Sequence, residues 1–267
     1  MDESDEGVPP QRIFVNLHEY TCLRHRMFCT HADPCIFATA VMQPLGEPGG
    51  TAMGALTGKA ALATGGTRGI GQAISKRLAR DGALVAVHYG SNRAAARETV
   101  ADIEAAGNRA FALRAHLGSR GDAEQLWSAF EERMQTDYGE SHLDILVNNA
   151  GITDERNGIA GATRLGVEEV LAVNVTAPFF IVQQGLEGLR DGGRIINISS
   201  AVTRLARPNV LAYSMSKRAL DVFTRTLALE LGKRHITAVE QILRFVRRRR
   251  TSSLGCWVQG SSNGGPQ

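Results

Sequence analysis

The run Thr64-Gly65-Gly66-Thr67-Arg68-Gly69-Ile70-Gly71 constrains this chain more than any other segment. It lies between an apolar stretch, Ala60 to Thr64, and a helix-like stretch, Gln72 to Arg80. Glycines let a backbone turn tightly from strand to helix and approach an anion closely. The helix start then offers unpaired N–H groups and the positive end of its dipole, so a diphosphate can be held there. Gly65, Gly69 and Gly71 are spaced G-x-x-x-G-x-G, whereas the commoner dinucleotide pattern is G-x-G-x-x-G. Alone, such a loop is weak evidence, because an ordinary strand-to-helix turn has the same composition.

From residue 58 onward, strand patterns alternate with helical ones. Strands are expected at 59–64, 83–89, 108–113, 143–148 and 193–198. Helices are expected at 70–80, 92–106, 119–137, 165–188 and 209–232. Strands separated by helical patterns imply an α/β fold with a doubly wound parallel sheet of the Rossmann type. Right-handed crossovers gather the carboxyl ends of the strands, where ligands bind. A single domain over 58–237 is expected.

Residues 1–57 hold five of the eight prolines and no sustained periodicity, and are read as a poorly ordered extension. Met53, just before the first strand, marks an alternative start for the folded part. Cys22, Cys29, His31 and Cys35 lack the paired C-x2–4-C unit of structural zinc sites, so no metal is expected. Four cysteines do not make a disulfide framework, and the acidic start Met1 to Glu6 does not open a secretory signal. With no run of 18 apolar residues, no membrane span is expected and the setting is read as cytoplasmic.

Four further motifs lie downstream. Asn148-Asn149-Ala150-Gly151 follows the apolar stretch Leu143 to Val147, and Asn174 sits in Val173-Asn174-Val175. Ser199-Ser200 follows Arg194 to Ile198, and Tyr213-Ser214-Met215-Ser216-Lys217 sets a tyrosine four residues before a lysine. On a helix, i and i+4 lie about 40° apart around the axis and share a face. Each motif alone has a plain reading: turn formers, a polar helix residue, a strand end, an exposed aromatic beside a solvated cation. In this order, beside the glycine loop, they resemble the short-chain dehydrogenase/reductase family, and more loosely its 3-oxoacyl-carrier-protein reductase-like members. The resemblance runs from about Leu56 to Thr237.

That resemblance implies hydride transfer between a nicotinamide and a carbonyl or alcohol. It makes Tyr213 the acid/base and has Lys217 also bind the nicotinamide ribose. Ser200, 13 positions before Tyr213, would hold the substrate oxygen, and Asn174 would anchor a proton-relay water. The cofactor would contact Gly65, Thr67, Arg68, Gly69, Ile70 and Gly71 in the loop, then Ser91, Asn92 and Arg93, then Asn149, Ala150 and Gly151, besides Tyr213 and Lys217. An ordinary tyrosine has a pKa of about 10. A cation within about 4–6 Å stabilises the phenolate, and a drop of ~3 units takes about 4 kcal/mol.

Cofactor choice follows from charge. An acid after the second strand would bind the ribose hydroxyl of NAD, whereas arginine suits the phosphate of NADP. No acid occurs from Asp81 until Glu98, while Arg68 and Arg93 are available, so NADP is expected over NAD. His116 stands where the family usually carries an aspartate near the adenine.

Past Thr237 the expected Asn/Pro/Gly turn is missing. Residues 238–267 are read as an atypical basic and Ser/Gly-rich tail, the product of truncation or a shifted frame, leaving the sheet without its last strand. Arg247 to Arg250 contribute +4 of a net charge of +3, so the remainder is −1 and the basic balance belongs to the tail. Nucleic-acid or lipid binding by that tail is a minor reading. The expected partners are a small carbonyl or alcohol substrate and a second copy, paired through the two long helices. The competing reading is a non-catalytic dinucleotide-binding protein, an inactive truncated member.

Overall fold

A computed structural model of the chain describes residues 54–154 and 158–243. The cysteine cluster and the arginine run lie outside the described residues. Six parallel strands form one sheet in the order β3-β2-β1-β4-β5-β6. They are β1 (Ala60–Ala63), β2 (Leu84–Tyr89), β3 (Ala110–Arg114), β4 (Leu143–Asn148), β5 (Leu189–Ser200) and β6 (Thr237–Leu243). This is the doubly wound order, with its switch point between β1 and β4.

Successive side chains of a strand point to opposite faces, and the core divides accordingly. Ala61, Ala63, Val85, Val87 and Ile145 pack on one face with α1 (Gly69–Arg80) and α2 (Arg93–Ala105). Leu62, Leu84, Ala86, Leu143 and Ile195 pack on the other with α3 (Asp122–Tyr138), α6 (Ala177–Gly185) and α7 (Leu211–Leu231). β1 reads Ala-Ala-Leu-Ala and is fully buried. The short α4 (Gly158–Gly161) and α5 (Arg164–Leu171) precede α6.

Three departures from the sequence reading matter. First, the chain past Thr237 continues as β6, paired with β5 from Arg194↔Thr237 to Ser200↔Leu243. The expected tail boundary at 237 falls inside this strand, and the sheet has a sixth strand where only five were foreseen. Glu240 and Gln241 dilute the apolar pattern, yet a parallel partner needs mainly the open backbone edge of β5, with Ile236 and Ala238 buried beside it. Second, the expected helix 165–188 contains a π turn at Ala172–Thr176, between α5 and α6. Third, the domain begins before residue 58: Leu56 donates its N–H to Asp81 O at 2.8 Å and packs on the α1/α2 core.

The helix Arg164–Gly185 is long and apolar enough by composition to cross a membrane. Here it serves as a core helix on one side, burying Ala177, Ile181, Val182 and Gly185. A Cβ on Gly185 would sit 2.0 Å from Trp127 Cζ2. Trp127 is itself buried and donates its indole N–H to Ile181 O at 2.7 Å. Gly185→Ala is therefore expected to lower stability by about 2 kcal/mol through overpacking. The measurement is the urea midpoint, which should fall at an unchanged m-value; a midpoint equal to wild type would refute the claim.

Candidate active site

The glycine loop is clamped to the end of β4. Thr64 Oγ1 accepts the N–H groups of Asn149 at 2.9 Å and Ala150 at 3.0 Å. In return Asn149 Nδ2 donates to Thr64 O at 2.9 Å and Gly65 O at 3.1 Å. Gly65 and Gly69 have φ of +61° and +53°, a region that side chains make costly. A Cβ on Gly71 would lie 2.1 Å from Gly65 O. Arg68 stands at the N-cap of α1 without a side-chain cap bond, so among the described residues the N-cap side chain leaves the first N–H groups of α1 unclaimed. Free amides, closely approaching backbone and a helix start fit a dinucleotide diphosphate.

A cleft of about 910 Å³ opens over this loop. It brings together the expected Gly65, Thr67, Arg68, Gly69, Ile70, Gly71, Ser91, Asn92, Asn149, Ala150 and Gly151. His116 lines it too. Arg93 does not line it: it opens α2 with its side chain exposed. The Asn92 carboxamide is occupied as the cap of α2, accepting Ala95 N–H at 3.0 Å.

A second cleft, about 370 Å³, adjoins the first through Ile70, Asn149 and Gly151. Ser200, Tyr213 and Lys217 line it, together with Val202, Leu205 and Arg207. Tyr213 and Lys217 share one face of α7, as their spacing requires. The Lys217 side chain is buried, donates to Ile198 O at 2.8 Å, and its nitrogen lies 5.7 Å from the Tyr213 ring centroid. The two serines divide. Ser199 is buried and donates to the Asp221 carboxylate, whereas Ser200 ends β5 at the cleft with Val202 N–H 3.4 Å from its Oγ.

Asn174 is fully buried within the π turn. Its Oδ1 accepts Ile152 N–H at 2.9 Å, and its Nδ2 donates to Ile152 O at 2.9 Å and Ser216 Oγ at 3.0 Å. The side chain thus ties the loop after β4 to α7 and orders the floor of the cleft without lining it. π turns of this kind commonly mark functional sites. Three contributors escaped the sequence reading: Thr64 as clamp, His88 behind the loop, and Asp221 beneath Ser199. His88 carried a signal, being a polar residue within an otherwise apolar strand.

Burial pushes the Lys217 ammonium down to about 8, partly offset by the Asp221 carboxylate one turn along α7. The cation beside Tyr213 is present below that pH and lost above it. If Tyr213 needs this cation, kcat/KM should fall as pH rises through about 8. A profile flat to about pH 10, where an ordinary lysine titrates, would dismiss Lys217 as the controlling group. From this group alone, stability rises with pH between about 8 and 10.5, because there the unfolded chain holds the proton and the folded chain does not.

The family model described as short chain dehydrogenase matches residues 59–248, eleven residues past the sequence-based limit at Thr237. An uncharacterized oxidoreductase of Methylorubrum extorquens is 39% identical over 184 residues, covering 69% of this chain and 71% of its own length. A hydroxynaphthalene reductase-like protein of Metarhizium majus is 39% identical over 183 residues, covering 68% of this chain and 66% of its own length. The chain thus spans about two thirds of the length of these curated relatives. Among solved structures, an angucycline C-6 ketoreductase with bound NADP is similar at 46% identity and a TM-score of 0.69. That likeness covers 70% of this chain and 72% of the ketoreductase. Sequence motifs, sheet order and these likenesses agree, and the chain belongs to the short-chain dehydrogenase family.

Proposed function

We propose that this chain is an NADP-dependent ketoreductase whose substrates are fused-ring aromatic ketones. The observation that carries the reading is the junction of two clefts: a glycine-loop cleft and a smaller cleft holding Ser200, Tyr213 and Lys217, sharing Ile70, Asn149 and Gly151. Bound NADPH would supply the hydride. Ser200 Oγ–H donates to the carbonyl oxygen and holds it toward Tyr213. The Tyr213 phenol gives its proton to that oxygen as the carbonyl carbon is reduced, leaving an alcohol and a phenolate. Lys217 stabilises the phenolate, and Asn174 acts as a positioning residue by fixing Ile152 and Ser216.

Preference for NADP rests on Arg68 in the cleft and on the absence of acid at the end of β2, at Tyr89, and in the Gly90 to Arg93 segment after it. The substrate class rests on the apolar lining of the smaller cleft, Ile198, Val202 and Leu205 among it, and on the relatives. One solved neighbour is an angucycline ketoreductase, and curated relatives are hydroxynaphthalene reductase-like. A homodimer in the cytoplasm belongs to the same reading. Phe179 and Phe180 of α6 and Met215, Val222 and Leu229 of α7 are exposed apolar side chains on the two helices expected to pair.

The test is NADPH or NADH oxidation with a tetralone and with an aliphatic 3-oxoacyl thioester, beside calorimetric binding of both cofactors. Fastest turnover with NADPH and the tetralone is expected. NADPH binding without turnover on any ketone would favour the non-catalytic reading, and equal affinity for NADH would remove the cofactor preference. Size exclusion with light scattering reports the assembly, and a monomer would end the dimer proposal.

A further inference from the structure

His88, near the end of β2, has no part in the reaction as derived, yet its imidazole is almost wholly buried. Its Nδ1 lies 3.0 Å from Gly65 N, and its Nε2 lies 3.1 Å from Ala115 O. The backbone N–H of Gly65 can only donate and the carbonyl of Ala115 can only accept. One tautomer alone satisfies both: Nδ1 bare, Nε2 protonated. The His88 backbone takes part as well, since its carbonyl accepts Gly66 N–H at 2.9 Å. Two consecutive amides of the glycine loop are therefore held by one residue.

The other end of this bridge matters equally. Ala115 directly follows β3 and is itself tied to β2 through Ala115 N–H to Tyr89 O at 3.2 Å. The next residues, His116, Leu117 and Gly118, line the far side of the 910 Å³ cleft. The imidazole thus spans from the loop on one side of that cleft to the chain forming the other. We propose that His88 is a positioning residue for dinucleotide binding: its neutral imidazole sets the spacing between the glycine loop and the segment after β3. The proposal rests on the reading that this cleft takes NADP(H).

The surroundings favour the neutral ring. Burial pushes the His88 pKa down to about 4, against a smaller upward push from the Ala115 carbonyl. The charged or titratable groups on the adjoining segments, Arg68 in the loop and Arg114 and His116 at and after β3, are exposed. Tyr89, the next residue of β2, is buried. A protonated ring would have to place a donor against Gly65 N–H, which cannot accept it.

Two measurements test the proposal. Nitrogen-labelled imidazole NMR on the full chain at pH 5.5 should show His88 uncharged with the proton on Nε2. An ordinary histidine would be mostly protonated there. An imidazolium, or a proton on Nδ1, overturns the bridge whether or not any variant folds. Calorimetry with NADPH then compares His88→Phe, which fills the space without an acceptor, with His88→Asn, which can accept and donate. For His88→Phe, the unpaired Gly65 amide should weaken NADPH binding about tenfold or more, while kcat at saturating NADPH stays within about threefold. His88→Asn should recover part of the affinity. Wild-type binding with His88→Phe within twofold overturns the proposal, as does an Asn variant no tighter than Phe. Absence of NADPH binding by the wild type would instead remove the cofactor reading beneath it.

Discussion

Tyr213→Phe is expected to lower kcat by at least about a hundredfold while NADPH affinity stays within about threefold. The size follows from the role. A positioned general acid contributes about 10²–10⁴ in rate, and phenylalanine keeps the ring but removes the only proton it could deliver. Affinity should survive because the ring face toward Lys217 remains, and the Lys217 nitrogen keeps its bond to Ile198 O. The same bond makes Lys217→Ala a different experiment. It would leave a cavity in the lining of the smaller cleft, take the donor from Ile198 O and remove the cation expected at the nicotinamide ribose, and so should harm binding and turnover together. Single-turnover kinetics with saturating NADPH separate the two effects. A Tyr213→Phe protein with a tenth or more of wild-type kcat would move the proton donor elsewhere. Ser200 would then be the first residue to examine, because its hydroxyl lines the same cleft.

Much of this site could be read from the chain alone, and the reason is local geometry. Tyr213 and Lys217 share a face because helical periodicity places i and i+4 together, and no tertiary knowledge is needed. Gly65, Gly69 and Gly71 announce a tight strand-to-helix turn for the same local reason. The parallel order of the strands follows from their alternation with helices. What escaped depends on partners distant in sequence. The clamp of Thr64 on Asn149 joins residues 85 positions apart, and no spacing rule predicts it. The π turn around Asn174 is a single extra residue accommodated within a helix, invisible to a pattern that only counts apolar positions.

β6 was missed for another reason. Its pairing is set by the open edge of β5, so a segment with Glu240 and Gln241 suffices, whereas the expectation was tied to a specific turn sequence. β5 itself starts earlier than its pattern. Leu189 pairs with Leu143 and Arg194 with Ile145, so residues 190–193 bulge from the register. Arg234 holds this bulge through Asp191, at 2.7 Å, and the Leu186 carbonyl, at 2.6 Å.

Gly71→Ala should weaken cofactor binding about a hundredfold without unfolding the domain. The added Cβ would lie 2.1 Å from Gly65 O, 2.4 Å from Asn149 Nδ2 and 2.9 Å from Gly65 C. Two of these three atoms are backbone, so no side-chain rotation relieves the contact. Either α1 retreats from the loop or the loop retreats from β4. The second course breaks the bonds from Asn149 Nδ2 to Thr64 O and Gly65 O, which hold the glycine loop against the end of β4. Overpacking of this kind costs about 1–3 kcal/mol, and an affinity loss of about a hundredfold corresponds to about 3 kcal/mol. Gly69→Ala is the matched control. No atom lies within 4 Å of its Cβ position, and only its φ of +53° opposes the change, at about 1–2 kcal/mol. The order of effect on NADPH affinity should therefore be Gly71→Ala, then Gly69→Ala, then wild type, while circular dichroism stays native in all three. Should Gly71→Ala bind NADPH as well as Gly69→Ala does, the close approach of Gly71 to Gly65 and Asn149 would not be what shapes the cofactor cradle.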